Sequence, residues 1–188
     1  MRIISGTAKG TKLYTLNGEN TRPTLDRVKE SLFNIIRDKI DESSVLDLFA
    51  GSGAIGLEFA SRGASKVYLC DKSKEACTVI ERNIEKTHLE SRVLLYNMDF
   101  IYLIEKLKGK VFDIIYLDPP YKTDFIKKAL TKLIECGCIK KETLIIAETD
   151  EEERVIEQLN NIDIEIIDKR KYGRAHILFL KKINRKEE

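Results

Sequence analysis

From Ser44 onward, short apolar runs alternate with amphipathic stretches, and few architectures accommodate that order. The runs "VLDLF" (45–49), "KVYLC" (66–70), "RVLLY" (92–96), "FDIIYL" (112–117) and "TLIIAE" (143–148) have the length and β-branched content of strands. Between and after them the spacing predicts helices over 54–61, 74–86, 101–107, 125–135 and 152–159. Strands that alternate with helices in this way pair in parallel, and the helices cover both faces of the sheet. The closing stretch "DIEIIDKRKYGRAHILFLKK" reads as two more strands around Tyr172-Gly173, an antiparallel hairpin on one edge of a mostly parallel, seven-stranded sheet.

Before this alternation stands a different section. Residues 2–4 and 12–16 read as a small β-hairpin around "GTAKG", with Gly6 and Gly10 permitting the turn. Thr24 is placed to cap a helix running to about Ile40, with Asp26 in its first turn and Leu25, Val28, Leu32, Ile35 and Ile36 at helical spacing. The expected organisation is therefore an N-terminal hairpin and helix, 1–40, followed by an α/β domain, 41–188. A chain of 188 residues, 43% hydrophobic, can bury one substantial core of this kind.

Composition narrows the class. Cys70, Cys77, Cys136 and Cys138 lack paired Cys-x-x-Cys spacing, and with His88 and His176 they make no metal constellation, so no metal is expected and the thiols read as reduced and structural. No signal-like apolar stretch opens the chain and no apolar run is long enough to span a bilayer, which predicts a cytoplasmic protein. The net charge of +2 hides an uneven distribution: residues 1–29 carry +4 and residues 169–188 carry +6, leaving the middle at −8. Basic ends around an acidic body are either solvated tails, the reading for Arg185-Lys186, or surfaces for a phosphate backbone.

In such sheets ligands bind beyond the carboxyl ends of the strands. The first strand end carries "DLFAGSGAIG", with Gly51, Gly53 and Gly56 in G-x-G-x-x-G register at a strand-to-helix turn. The second ends at Asp71, twenty residues after Gly51, the separation at which an acid reaches a ribose hydroxyl pair. At the third, Asp99-Phe100 sets a carboxylate beside a ring, suited to the amino group and face of an adenine. The fourth ends in Asp118-Pro119-Pro120-Tyr121, a rigid turn displaying oxygen acceptors beside an aromatic ring. A nicotinamide site needs an apolar strand running into the glycines to meet a pyrophosphate. Asp47 in that approach repels pyrophosphate and favours a cation, such as the amino group and sulfonium of S-adenosylmethionine. That chemistry points to methyl transfer.

"DLFAGSGAIG" followed by "DPPY" resembles the Rossmann-like class I methyltransferases that modify exocyclic amino groups of nucleobases. Together with "TRPTLDRVKESLFNII" and "KYGRAHILFL", from Arg2 to about Lys182, the chain resembles the bacterial 16S ribosomal RNA guanine-N2 methyltransferases. It departs from their pattern in having Asp71 where Glu is frequent and Met98 before Asp99 where Gly is usual. The resemblance implies a cytoplasmic monomer that takes S-adenosylmethionine, releases S-adenosylhomocysteine and acts on 16S ribosomal RNA or the assembling 30S subunit. "DPPY" itself leaves adenine amino groups, other RNAs and DNA open as substrates. Asp47, Gly51, Gly53, Gly56, Asp71, Asp99 and Phe100 are the expected cofactor residues. Asp118 and the Pro119 carbonyl are expected to take the two amino hydrogens of the target base, with Tyr121 stacked on it after it leaves its neighbours. The Cys136-Gly-Cys138 pair, on a helix-to-strand connection without a Pro-Cys context, is not the nucleophile a ring-carbon methyltransferase needs. Lys9, Lys12, Arg22, Arg27 and Lys29, with Arg174 as a further candidate, are expected to face RNA, while Arg22 and Arg27 equally fit a segment closing over the methionine end of the cofactor.

Overall fold

The computed structural model describes residues 1–16 and 23–183, with backbone alone for 23–25; Arg22, Arg185 and Lys186 lie outside the described residues, as does the side chain of Thr24. Seven strands form one mixed sheet in the order β3-β2-β1-β4-β5-β7-β6. They are β1 (Ser44–Asp47), β2 (Lys66–Asp71), β3 (Val93–Asn97), β4 (Phe112–Leu117), β5 (Ile139–Thr149), β6 (Ile164–Tyr172) and β7 (Ala175–Lys182). Six α-helices accompany them: α1 (Pro23–Ile35), α2 (Ala54–Ser61), α3 (Lys74–Thr87), α4 (Phe100–Lys106), α5 (Phe125–Glu135) and α6 (Glu152–Leu159). Parallel pairing of β1 with β2, β2 with β3 and β4 with β5, and antiparallel pairing of β5 and β6 with β7, is the expected architecture. Among the described residues no helix is long and apolar enough to cross a membrane.

The chain divides into two compact units, Met1–Asp99 and Phe100–Glu188. In the first, α2 is buried almost all round, as its apolar sequence dictates. Register Val45↔Val67 and Leu46↔Tyr68 then Val67↔Val93 and Leu69↔Leu95 aligns the three strand ends. Ser73 caps α3, its hydroxyl accepting from the Ala76 amide at 3.2 Å. The N-terminal hairpin is present in miniature, with one bridge, Arg2 to Lys12, and the Ile3 amide donating to the Thr11 carbonyl at 3.0 Å. Gly6 is required by packing, since a Cβ there would lie 1.8 Å from the Ser61 carbonyl oxygen at the end of α2. The hairpin and the first helix thus pack against α2 within the first unit, where Phe33 meets Phe59 edge-on at 4.7 Å between ring centres.

Two elements differ from expectation. The first helix begins at Pro23, so Thr24 lies in its first turn and is not its cap, and it stops at Ile35 rather than near Ile40, with a 3₁₀ turn, Arg37–Lys39, following. Ile36 and Ile40, which flank this turn, are buried at 2% and 1% exposed, while the three polar residues between them face water. In the second unit β5 begins at Ile139, earlier than "TLIIAE". Its polar start is carried by a register shift between Phe112 and Ile114 and by Thr143, whose hydroxyl donates to the Phe112 carbonyl at 2.6 Å. Buried Ile126, Ala129, Leu130 and Leu133 fix the inner face of α5.

Candidate active site

β1 delivers Asp47 to the strand end, 1% exposed. Its Oδ1 accepts from the Phe49 amide at 3.3 Å, and the Gly56 amide also stabilises the carboxylate. Burial outweighs both donors and, with Asp71 acting in the same direction, pushes the pKa up to about 7. Among the described residues no Lys, Arg or His forms an ion pair with it. A buried carboxylate at a strand end, short of a counter-ion, is suited to a cationic ligand group.

The glycines that follow divide the work. Gly51 has φ +55° and its missing side chain would meet no heavy atom of the described residues within 4 Å, so among these its backbone borders open space. Gly53, at φ +79°, precedes the first turn of α2. Gly56 lies inside α2, where a Cβ would come within 2.1 Å of Leu69 Cδ2, so it lets helix and strand approach. Asp71, partly exposed at the end of β2, accepts the Gly51 amide on Oδ2 at 2.9 Å and the Ser73 amide on Oδ1 at 2.8 Å. It braces the glycine loop, and each oxygen keeps a second lone pair for a ligand hydroxyl. Asp99, partly exposed, closes the first unit.

Phe100 requires a correction. The ring expected to present its face to adenine is 6% exposed and packs on Phe125 at 5.4 Å between centres, as the first residue of α4 in the second unit. Its apolar bulk serves that core.

In the second unit β4 ends at Leu117 and releases the chain into Asp118, partly exposed, then Pro119, buried, and Tyr121, 51% exposed. The turn is tied in two steps: the Thr123 hydroxyl donates to the Pro120 carbonyl at 2.9 Å, and Gln158 Nε2 on α6 donates to the Thr123 carbonyl at 3.2 Å. Partial burial, then the negative charges of Asp118, Glu148 and Asp150, push the Tyr121 phenol up to about 12, so the ring is neutral at working pH. Glu148, at the end of β5, was not anticipated. Burial raises its pKa, opposed by the Tyr116 hydroxyl, which donates to Oε2 at 2.7 Å. The rule that singled out four strand ends applies to the fifth as well, and would have found it. Gln158 carries no such signal, because a glutamine in the last turn of a helix does not announce which loop it will meet.

Of the expected RNA-facing cations, Lys9, Lys12, Arg27 and Arg174 are exposed. Lys29 is not. It is 3% exposed, its ammonium 3.1 Å from Glu58 Oε2 and donating to the Arg2 carbonyl at 2.5 Å, so it cannot reach a phosphate. Desolvation lowers its pKa against the pull of Glu58. The four cysteines are buried and free, with the Cys70 thiol pushed up to about 12 by burial and nearby carboxylates, a state unsuited to nucleophilic work.

A mostly parallel seven-stranded sheet closed by an antiparallel hairpin, with a glycine turn after β1 and acids at successive strand ends, defines a Rossmann-like methyltransferase. A family model described as "Conserved hypothetical protein 95" matches residues 1–181, and the chain belongs to that family. YlbH of Bacillus subtilis is 35% identical over 184 residues, covering 97% of this chain and 99% of the relative. Ribosomal RNA small subunit methyltransferase D of Haemophilus influenzae is 36% identical over 158 residues, covering 83% and 82%. Among solved structures, the methyltransferase yhhF of Escherichia coli superposes with a TM-score of 0.83 at 28% identity, covering 98% of this chain and 99% of that one.

Proposed function

We propose that this protein transfers a methyl group from S-adenosylmethionine to the exocyclic N2 amino group of a guanine in 16S ribosomal RNA. The observation that carries the reading is the Asp118–Tyr121 turn: a partly exposed carboxylate, a proline pair tied down through Thr123 and Gln158, and an exposed neutral ring. The lone pair of a guanine amino group is delocalised into the ring, so the nitrogen is a poor nucleophile while planar. Asp118 and the Pro119 carbonyl each take one amino hydrogen, which turns the lone pair outward and favours the positive charge that develops on nitrogen. Tyr121 stacks on the extruded base. The surplus proton on nitrogen leaves to water, with which Asp118 is in contact.

The first unit suits the cofactor. Asp47, buried and without a counter-ion among the described residues, would hold the cationic amino-acid end; the backbone at Gly51 and the carboxylate of Asp71 suit a nucleoside and its ribose hydroxyls. When bound, S-adenosylmethionine supplies an electrophilic methyl carbon. The substrate class is supported by the relatives named ribosomal RNA small subunit methyltransferase D, and the N2 position by the motif resemblance.

The test is methylation of stripped 30S subunits and of deproteinised 16S RNA with labelled S-adenosylmethionine, followed by nucleoside mass analysis. N2-methylguanosine is the expected product, and Asp118→Ala should lower kcat by ~10²–10³-fold with cofactor affinity preserved. Methyladenosine as product would replace guanine by adenine. No incorporation into either substrate would sink the reading.

A further inference from the structure

A cluster outside the strand ends is unexplained by methyl transfer. Leu13 is buried and its two neighbours, Lys12 and Tyr14, are exposed, so these two point outward together. Tyr14 is held in place by one side chain: Asn83 of α3, fully buried, accepts from the Tyr14 amide at 2.8 Å and donates to the Tyr14 carbonyl at 2.9 Å. Over the exposed Tyr14 ring converge two cations from the same helix, Arg82 with Cζ 4.1 Å from the ring centre and Lys86 with Nζ at 4.3 Å. Among the described residues neither makes an ion pair, although Glu81 and Glu85 stand on the same helix.

We infer that Lys12, Tyr14, Arg82 and Lys86 form a docking surface for the phosphate backbone of the RNA substrate, continuing the basic hairpin onto α3. Two like charges one helical turn apart repel each other. Gathering them at one aromatic ring is favourable when an anion arrives to share them, and the ring's π-electron density holds the cations ready for it. Lys9 and Lys12 on the hairpin add charge of the same sign, so the surface complements a polyanion and not a basic or apolar partner. Arg82 contributes a planar guanidinium that pairs with phosphate oxygens in bidentate fashion, and Lys86 a point charge beside it.

The inference rests on the proposed RNA substrate, and the experiment separates the two. Binding of deproteinised 16S RNA is measured over a salt series for the wild type, for Arg82→Gln/Lys86→Gln and for the charge-keeping swap Arg82→Lys/Lys86→Arg. The neutral pair should bind ~10-fold more weakly near physiological salt, with the slope of log K against log salt smaller by roughly 1 to 2. The swap should keep the slope, and calorimetry should find S-adenosylmethionine affinity unchanged in both. Equal slopes for the wild type and the neutral pair would overturn the surface while leaving methyl transfer untouched. A wild type that binds RNA with this salt dependence but incorporates no methyl would defeat the proposed reaction and leave the surface standing.

Discussion

Glu58 and Asp47 are both carboxylates buried in the first unit, yet their surroundings are opposite. Glu58, 0% exposed in an otherwise apolar helix, receives the Ile4 and Ser5 amides at 2.8 and 3.0 Å, Arg62 Nε at 2.7 Å and the Lys29 ammonium at 3.1 Å. Two amides and two cations fill its lone pairs, and in doing so they fasten the N-terminal segment to α2. Among the described residues Asp47 has backbone donors alone, and burial raises its pKa to about 7. A buried charge that is fully paired is scaffold, whereas one left short of a counter-ion at a strand end carries an unpaid desolvation cost that a cationic ligand can relieve.

Breaking the scaffold member of that pair should have the largest effect. Glu58→Ala leaves the Lys29 ammonium buried without its carboxylate and strips the Ile4 and Ser5 amides of their acceptor. Urea denaturation should show a loss of roughly 3–5 kcal/mol, and a loss below about 1 kcal/mol would mean that the network is ornamental. The next largest effect concerns Asp47, and its sign follows from the direction of the shift. An Asp with a folded pKa of about 7, against about 3.9 unfolded, binds its proton more tightly in the folded state. Its contribution is therefore fully present below pH about 4 and is lost as pH rises through 7, up to about 4 kcal/mol in all. Asp47→Asn keeps the shape without the charge. The gap in urea stability between wild type and variant should widen against the wild type from pH 5 to pH 8, and a gap independent of pH would remove Asp47 from the poised class. Glu148 drifts the same way, its pKa raised by burial, but contributes equally to both proteins and cancels in the comparison. In the variant, S-adenosylmethionine affinity should fall ~100-fold or more, as expected when a buried charged partner is lost.

The same contrast explains what was readable in the sequence. Elements bounded by strong breakers, such as α2 between Gly53 and Gly63 or β4 before Asp118-Pro119, have the ends that periodicity predicts. The polar start of β5 was hidden because Lys140, Lys141 and Glu142 carry no apolar signal, and a bulge, not burial, keeps them in the strand. Charge alone marks Lys29 as a surface cation, but its place four residues before Phe33 puts it on the buried side of α1. A lone glutamate in the apolar helix "AIGLEFAS" was the complementary clue, since such a residue needs a cation to be buried with. Phe100 fails differently. Adjacency to Asp99 says that two groups are neighbours along the chain, and nothing about where a ring turns once a helix begins.

Gln158 sharpens the comparison at its weakest end. It is a neutral group that is half satisfied, with Nε2 donating to the Thr123 carbonyl while its buried Oε1 has no hydrogen-bond partner among the described residues. Because Thr123 in turn ties the Pro120 carbonyl, the helix fixes the turn that is proposed to present Asp118 and the Pro119 carbonyl. Gln158→Ala removes one neutral hydrogen bond together with one unpartnered oxygen, so the stability change should stay within about 1 kcal/mol. Its effect should appear instead in kcat, lowered ~10-fold through looser placement of the acceptors, with the KM for S-adenosylmethionine unchanged. Thr123→Ser, which keeps the hydroxyl, should retain activity, whereas Thr123→Val should resemble Gln158→Ala. An unaltered kcat in both Gln158→Ala and Thr123→Val would show that the prolines alone hold the turn, and that incomplete pairing in this unit, unlike that at Asp47, has no functional meaning.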